Sequence, residues 1–232
     1  MRLSLSYILE ILLSMPKTVY FNLRCLPLNK AVRLPFYIHY KTRLTGICKE
    51  SIRINQNADL RTFMIKFGNK GSVGIVENRY NSICINEGTL LFEGSAAFGV
   101  GFSIRADCGG KVTIGKGFNS NRNLFISCTK QVTIGNDVLF GWNVSVRDSD
   151  GHTLLYDNTK QPTLAPVTIG NHVWVCAESQ ILKGTTIGND CVVGYASLLS
   201  KGSLENNVLW AGHPAKMIRQ NIDWNSEAWD VR

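Results

Sequence analysis

No stretch of this sequence is an uninterrupted apolar run of the roughly 18 residues that a membrane-spanning helix needs. No Cys-x-x-Cys pair occurs either. The seven cysteines (25, 48, 84, 108, 128, 176 and 191) are scattered and odd in number, the pattern of free thiols in a reducing compartment rather than of a disulfide framework. Histidine is scarce, at positions 39, 152, 172 and 213 only, which leaves little material for a metal site, and none is expected. Charged residues make up 18% of the 232, against 44% hydrophobic residues and 21 glycines, a composition that excludes disorder, coiled coil and collagen. The charge leans positive, 25 Lys and Arg against 17 Asp and Glu, for a net +8 that favours anionic partners. The interleaved basic and aromatic residues of nucleic-acid readers are missing, so no nucleic-acid partner is expected. Residues 3–15 follow a single Arg2 and loosely resemble a signal peptide, but Glu10 interrupts them and no small-x-small cleavage site precedes Met15-Pro16-Lys17. The segment reads as a short amphipathic helix, and the chain as cytoplasmic, with weak membrane-surface association through this basic, apolar end.

What the sequence does contain is a repeat. Ile-Gly-(Asn/Lys) recurs at Ile114, Ile134, Ile169 and Ile187, and the last two start 18 residues apart. Within and beyond that interval apolar residues return every sixth position: Ile169, Val175, Ile181, Ile187, Val193 and Leu199. Shorter ladders with the same step are Ile134, Phe140, Val146 and Phe92, Phe98, Ile104. A period of six fits neither a helix nor an alternating strand. It fits a short strand plus a corner, three of which close a triangular turn of 18 residues. One residue per hexad then points inward, and Gly or Asn at the corners tolerates positive φ. Stacked turns pair backbone to backbone at about 4.8 Å, giving an all-β parallel β-helix.

The ladder stops after Val146, and residues 147–165 carry no hexad but many turn formers, so they read as an excursion from one edge, a place where function concentrates. Residues 1–67, with Pro16, Pro27 and Pro35, read as an N-terminal extension of short helices and an irregular cap. The β-helix then occupies 68–219, with strands starting near Gly74-Ile75, Ile83–Ile85 and Leu90–Phe92 and roughly seven turns in all. Residues 220–232 form a tail that Trp224 and Trp229 are able to dock.

From about Gly115 to Arg219 the sequence resembles the hexapeptide-repeat acetyl-CoA-dependent acetyltransferases. The likeness is to galactoside and maltose O-acetyltransferases and to bacterial capsule and O-antigen O-acetyltransferases. It is carried by Gly151-His152, by 167–174 (VTIGNHVW), by 187–194 (IGNDCVVG), by Ser200-Lys201 and by 211–219 (AGHPAKMIR). The resemblance implies a left-handed β-helix, acetyl-CoA as co-substrate, a sugar acceptor, and a homotrimer with sites between subunits, the outward-facing candidates for its faces being Phe125, Leu139, Val173 and Leu182. It implies His152 as general base. Imidazole titrates near neutrality, so it can take the acceptor's hydroxyl proton and return it to the departing thiolate. On the acceptor side it points to Asn121, Trp142, Asp148 and Asp150, the two aspartates either orienting the imidazole, holding a hydroxyl, or simply forming the turn beside Gly151. On the coenzyme side it points to Trp174 along the pantetheine arm, the Ala177 N–H as oxyanion donor, Tyr195, and Ser200, Lys201, Lys216 and Arg219 at the phosphates.

Two departures concern the acceptor. Residues 1–66 do not match the helical region that shapes the sugar pocket in the galactoside and maltose enzymes. Their paired acidic residues are also missing, Ser127-Cys128-Thr129 standing there, and Trp142 replaces a common proline. An antibiotic-modifying acetyltransferase of the same fold is therefore the alternative. A γ-type carbonic anhydrase needs two zinc histidines a few residues apart, whereas those here are 20 and 41 residues apart (152, 172 and 213). A non-catalytic scaffold would be expected to lack the base.

Overall fold

The computed structural model describes residues 5–49, 51–69 and 80–225. Three sheets form the faces of a left-handed β-helix, one of nine strands and two of seven, parallel throughout except for the last strand of the nine, and the parallel neighbours in each come from successive turns of the chain. The first turn is β1 (Phe36–Ile38), β2 (Thr42–Thr45) and β3 (Ile52–Ile54), one strand on each face. The order repeats until the seventh turn closes with Gly202–Leu204. Val208–Gly212 then opens an eighth turn and pairs antiparallel with Ala215–Gln220. The stack therefore takes in residues 36–67, which the hexad pattern assigns to the cap. The expected strands at 83–85 and 90–92 lie within Asn81–Asn86 and Thr89–Phe92, while Gly74-Ile75 and Trp229 lie outside the described residues.

Turn length explains why the early part is hard to read. Ile169 faces Ile187, 18 residues on, but Ile114 faces Ile134, 20 on, and Ala96 faces Phe118, 22 on. The extra residues sit in the corners and break the six-step. A longer perimeter encloses a wider cross-section, which only larger side chains fill to interior density. Phe36, Phe67, Phe92, Phe98, Phe102, Phe118 and Phe140 are accordingly buried in the first five turns, with Phe67 and Phe98 stacked at 4.9 Å. Ile, Val and Leu fill the narrower turns that follow.

All six members of the long ladder point inward and are at most 3% exposed. A second inward column runs two residues before each: Val167, Val173, Ser179, Thr185, Cys191 and Ser197. Two residues per hexad are therefore buried, not one, and Val173 belongs to the core rather than to the outer face. Phe125, Leu139 and Leu182 stay half-buried on the surface. The hydroxyls in this second column donate to backbone carbonyls, Ser179 and Ser197 to Gly194 at 3.0 and 2.7 Å and Thr185 to Leu199 at 3.3 Å, so their burial leaves no unpaired group.

The Ile-Gly-Asn triplets form one corner, and the reason differs from the expected positive φ. A Cβ on Gly135 would lie 2.5 Å from the carbonyl oxygen of Gly170, and one on Gly170 2.7 Å from that of Gly188, so the glycines permit close stacking. Positive φ falls two residues later, at Asp137, His172, Asp190 and Asn207. The asparagines form a ladder: Asn136, Asn171, Asn189 and Asn206 each accept the backbone N–H of the residue one turn back, at 2.7–2.8 Å.

Helix α1 (Leu5–Cys25) covers the open edge of β1. It does so with a polar stripe at four-residue steps. Asn22 donates to the Phe36 carbonyl and accepts its N–H, Thr18 accepts the Ile38 N–H, and Ser14 accepts that of Tyr40. Phe21 and Cys25 seal the core beside them, and burial pushes the Cys25 thiol up to about 12. A short helix, α2 (Leu28–Ala31), follows.

Candidate active site

The excursion leaves the edge between the second and third faces, after Ser145–Arg147, and re-enters at Val167–Ile169. It is a β-hairpin rather than an irregular loop. Leu155-Tyr156 pairs with Thr159-Lys160 across Asp157 and Asn158, both at positive φ as a two-residue hairpin turn requires. His152 is exposed at its shoulder, and among the described residues no side chain holds its ring. The geometry gives the two neighbouring aspartates other work. Asp148 is fully buried and accepts the N–H groups of Thr129, Lys130 and Gln131 at 2.8, 2.7 and 2.7 Å. Those donors have lost the turn that would otherwise stack beneath them, and the carboxylate takes its place. Asp148, one of the expected acceptor-side residues, thereby holds the base of the hairpin. Burial, and after it the Asp148 charge, pushes the Cys128 thiol up, so it stays protonated and donates to Asp148. Asp150 pairs with Lys183 at 2.5 Å, and Lys183 also donates to the Pro162 carbonyl, tying both arms of the hairpin to the next turn. No signal in the sequence marked Lys183.

The remaining candidates fall into three places. On the edge between the first and second faces, the register Phe140–Val175–Val193 carries on into the corner, so Trp142, Ala177 and Tyr195 stack in successive turns with Asn121 at the same corner one turn before. Trp142 and Tyr195 are exposed, at 42% and 68%, and the Ala177 N–H meets no acceptor among the described residues. Ser200 and Lys201 lie on the hairpin's own edge, two turns along, at a cavity of about 160 Å³ that Trp210 and Pro214 also line. Lys216 and Arg219 are exposed on the antiparallel end strand.

Trp174 stands apart from His152, on the first face, opposite the edge that carries the hairpin. It has a neighbour the sequence only hinted at. Trp224 docks the tail by donating from Nε1 to the His172 carbonyl at 2.8 Å, stacks on the His172 ring at 4.4 Å, and reaches Trp174 at 6.0 Å. His172 is further engaged with Asp190 at 2.9 Å. One chain thus carries the candidate groups on two edges and one face without bringing them together.

The coil of hexads is the architecture of the hexapeptide transferases, and residues 166–201 match the six-repeat bacterial transferase hexapeptide model. The chain is 37% identical over 117 residues to galactoside O-acetyltransferase of Escherichia coli K12, covering 50% of this chain and 57% of that one. It is 31% identical over 145 residues to the protein named as a lipopolysaccharide biosynthesis O-acetyl transferase, WbbJ, of the same strain, covering 58% and 74%. The crystal structure of the polysialic acid O-acetyltransferase OatWY shares the fold, with a TM-score of 0.57 at 23% identity over 85% of this chain and 90% of that one. The chain belongs to the hexapeptide-repeat acetyltransferase family.

If Lys201 and Arg219 anchor coenzyme phosphates, the Lys201→Ala/Arg219→Ala double variant will raise KM for acetyl-CoA and flatten its dependence on salt, because ions screen exposed charge pairs. Steady-state kinetics at two ionic strengths reads this, and an unchanged donor KM assigns the phosphates elsewhere.

Proposed function

We propose that the protein transfers acetyl from acetyl-CoA to a hydroxyl of a sugar in a bacterial surface glycan, by direct attack within a ternary complex. His152 takes the hydroxyl proton as the acceptor oxygen bonds to the thioester carbon. The carbon–sulfur bond breaks, and the proton passes on to the coenzyme thiolate. The Ala177 N–H is free to steady the oxyanion. The observation that carries this reading is the histidine-bearing hairpin that interrupts the stack after Arg147, fastened by Asp148 and Lys183. The relatives' names support a sugar acceptor, galactoside for one and lipopolysaccharide for the other.

The separation of His152 from Trp174 supports a site shared between copies. Three prisms packed side by side in a closed ring bring the hairpin of one against the first face of the next, and make the groove that a single prism lacks. Mixing inactive His152→Ala subunits with inactive Trp174→Ala subunits, after dissociation and reassembly, is expected to restore part of the activity. Acetyl transfer to candidate glycans, read by mass spectrometry with drug acceptors alongside, tests the reaction itself. A fully active monomer by light scattering would overturn the shared site, and transfer to drugs alone would overturn the glycan.

A further inference from the structure

Helix α1 is built inside out. Its polar stripe, Ser14, Thr18 and Asn22, is buried against the β-helix, while Ile8, Leu9, Leu12, Leu13, Tyr20 and Leu23 face away from it and are 41–62% exposed. At 100° per residue, the only charged residues of the helix, Glu10, Lys17 and Arg24, all fall on the flank next to the buried stripe, which leaves the outward face free of charge. Lys17 is engaged there, donating to the carbonyls of Tyr40 and Thr42. In α2 and the residue after it, Leu28 and Val32 are also well exposed, at 68% and 67%.

The charge around this face is one-sided. Residues 5–43 hold six cations (Lys17, Arg24, Lys30, Arg33, Lys41, Arg43) and a single anion, Glu10. Arg24, Arg33 and Arg43 are exposed. A shallow cleft of about 850 Å³ beside the helix combines apolar Leu13 and Tyr20 with the Arg43 cation. The helix is some 31 Å long at 1.5 Å per residue. No helix among the described residues is long and apolar enough to cross a membrane. An apolar helix face with cations beside it, not suited to spanning, has the physical character of a segment that lies in the lipid headgroup layer.

We propose that the outward face of α1 docks the protein onto an anionic lipid surface, with Leu9, Leu12 and Leu23 entering the headgroup–acyl boundary and Arg24, Lys30 and Arg33 meeting lipid phosphates. A second copy of the chain explains the apolar face but not the one-sided charge, since two such surfaces bring cations toward cations. The inference is independent of the acetyl-transfer reading.

Co-sedimentation of the full-length protein with phosphatidylglycerol-containing and with pure phosphatidylcholine vesicles tests it. Partitioning onto the anionic vesicles is expected to exceed that onto the neutral ones at least tenfold at low salt, and to fall as salt is raised. The Leu9→Glu/Leu12→Glu/Leu23→Glu variant should lose at least tenfold in partitioning with Tm and acetyl transfer unchanged, since the buried stripe is untouched. The Lys30→Ala/Arg33→Ala variant should bind more weakly and with less salt dependence. Equal binding to both vesicle types, or undiminished binding by the triple glutamate variant, overturns the proposal. So does a wild-type particle that light scattering shows to be twice the mass of the glutamate variant's, because the face is then covered by a second copy.

Discussion

His152→Ala will lower turnover by about 10²–10⁴-fold while leaving the thermal midpoint and donor binding close to those of the parent. The two halves of this expectation have separate physical grounds. On the proposed mechanism the chemistry loses the group that takes the proton from the attacking hydroxyl, and the magnitude is that typical of a positioned general base. The fold loses little, because the imidazole is exposed and makes no hydrogen bond, ion pair or ring contact among the described residues. Steady-state kinetics with acetyl-CoA, and a thermal melt, read both halves. Turnover within threefold of the parent would remove His152 from the mechanism. A large drop in thermal midpoint would show that the side chain is structural instead.

Asp148→Ala is expected to do the reverse, costing about 3–5 kcal/mol of stability first and activity only as a consequence. Hydrogen bonds to a charged group contribute about 1.5–3 kcal/mol each, less than additively, and this carboxylate accepts three from successive backbone N–H groups in a site closed to solvent. Removing it leaves those donors without the turn that the hairpin displaced. A loss of that size is a large share of the stability of an ordinary domain. Asp148→Asn should not rescue, since its amide turns one acceptor into a donor facing N–H groups. Urea denaturation of both variants measures this, and a loss under about 1 kcal/mol would mean that water replaces the carboxylate. Opposite signatures at two positions four residues apart would separate the group that reacts from the group that holds it.

The parts of the molecule that could be read in advance share one property: their signal lies in side-chain identity at fixed spacing. The 169–199 ladder showed because its turns are 18 residues long and its inward residues are apolar, and the fold class followed from it. The hairpin showed as the place where the ladder fails. The first turn escapes the pattern because corner insertions spoil the spacing, although Phe67 stands in register with Phe98, a member of a ladder that does show. The second inward column was missed because serine and threonine there satisfy themselves against the backbone and look like surface residues. Asp148 and Asp150 sit in one turn-like stretch, Asp-Ser-Asp-Gly, yet one is buried against backbone and the other pairs with Lys183, a difference set by what the neighbouring turns present. Ala177 is named only through the resemblance, because a backbone N–H leaves no mark in side-chain identity. The polar stripe of α1 was hidden for the opposite reason, since an amphipathic helix is normally read with its apolar side inward.

That stripe bears on how the molecule ends. A stack of parallel turns has no natural stopping point, and its first strand would present a row of free N–H and C=O groups of the kind that recruits another chain. Ser14, Thr18 and Asn22 occupy those groups at β1 with side chains in place of a preceding turn, and a side chain, unlike a strand, offers nothing further to pair with. At the far end, the antiparallel Ala215–Gln220 strand reverses the direction that a following turn would have to match. The two closures make a particle of fixed length out of an architecture that, left open, is the repeating unit of a fibre.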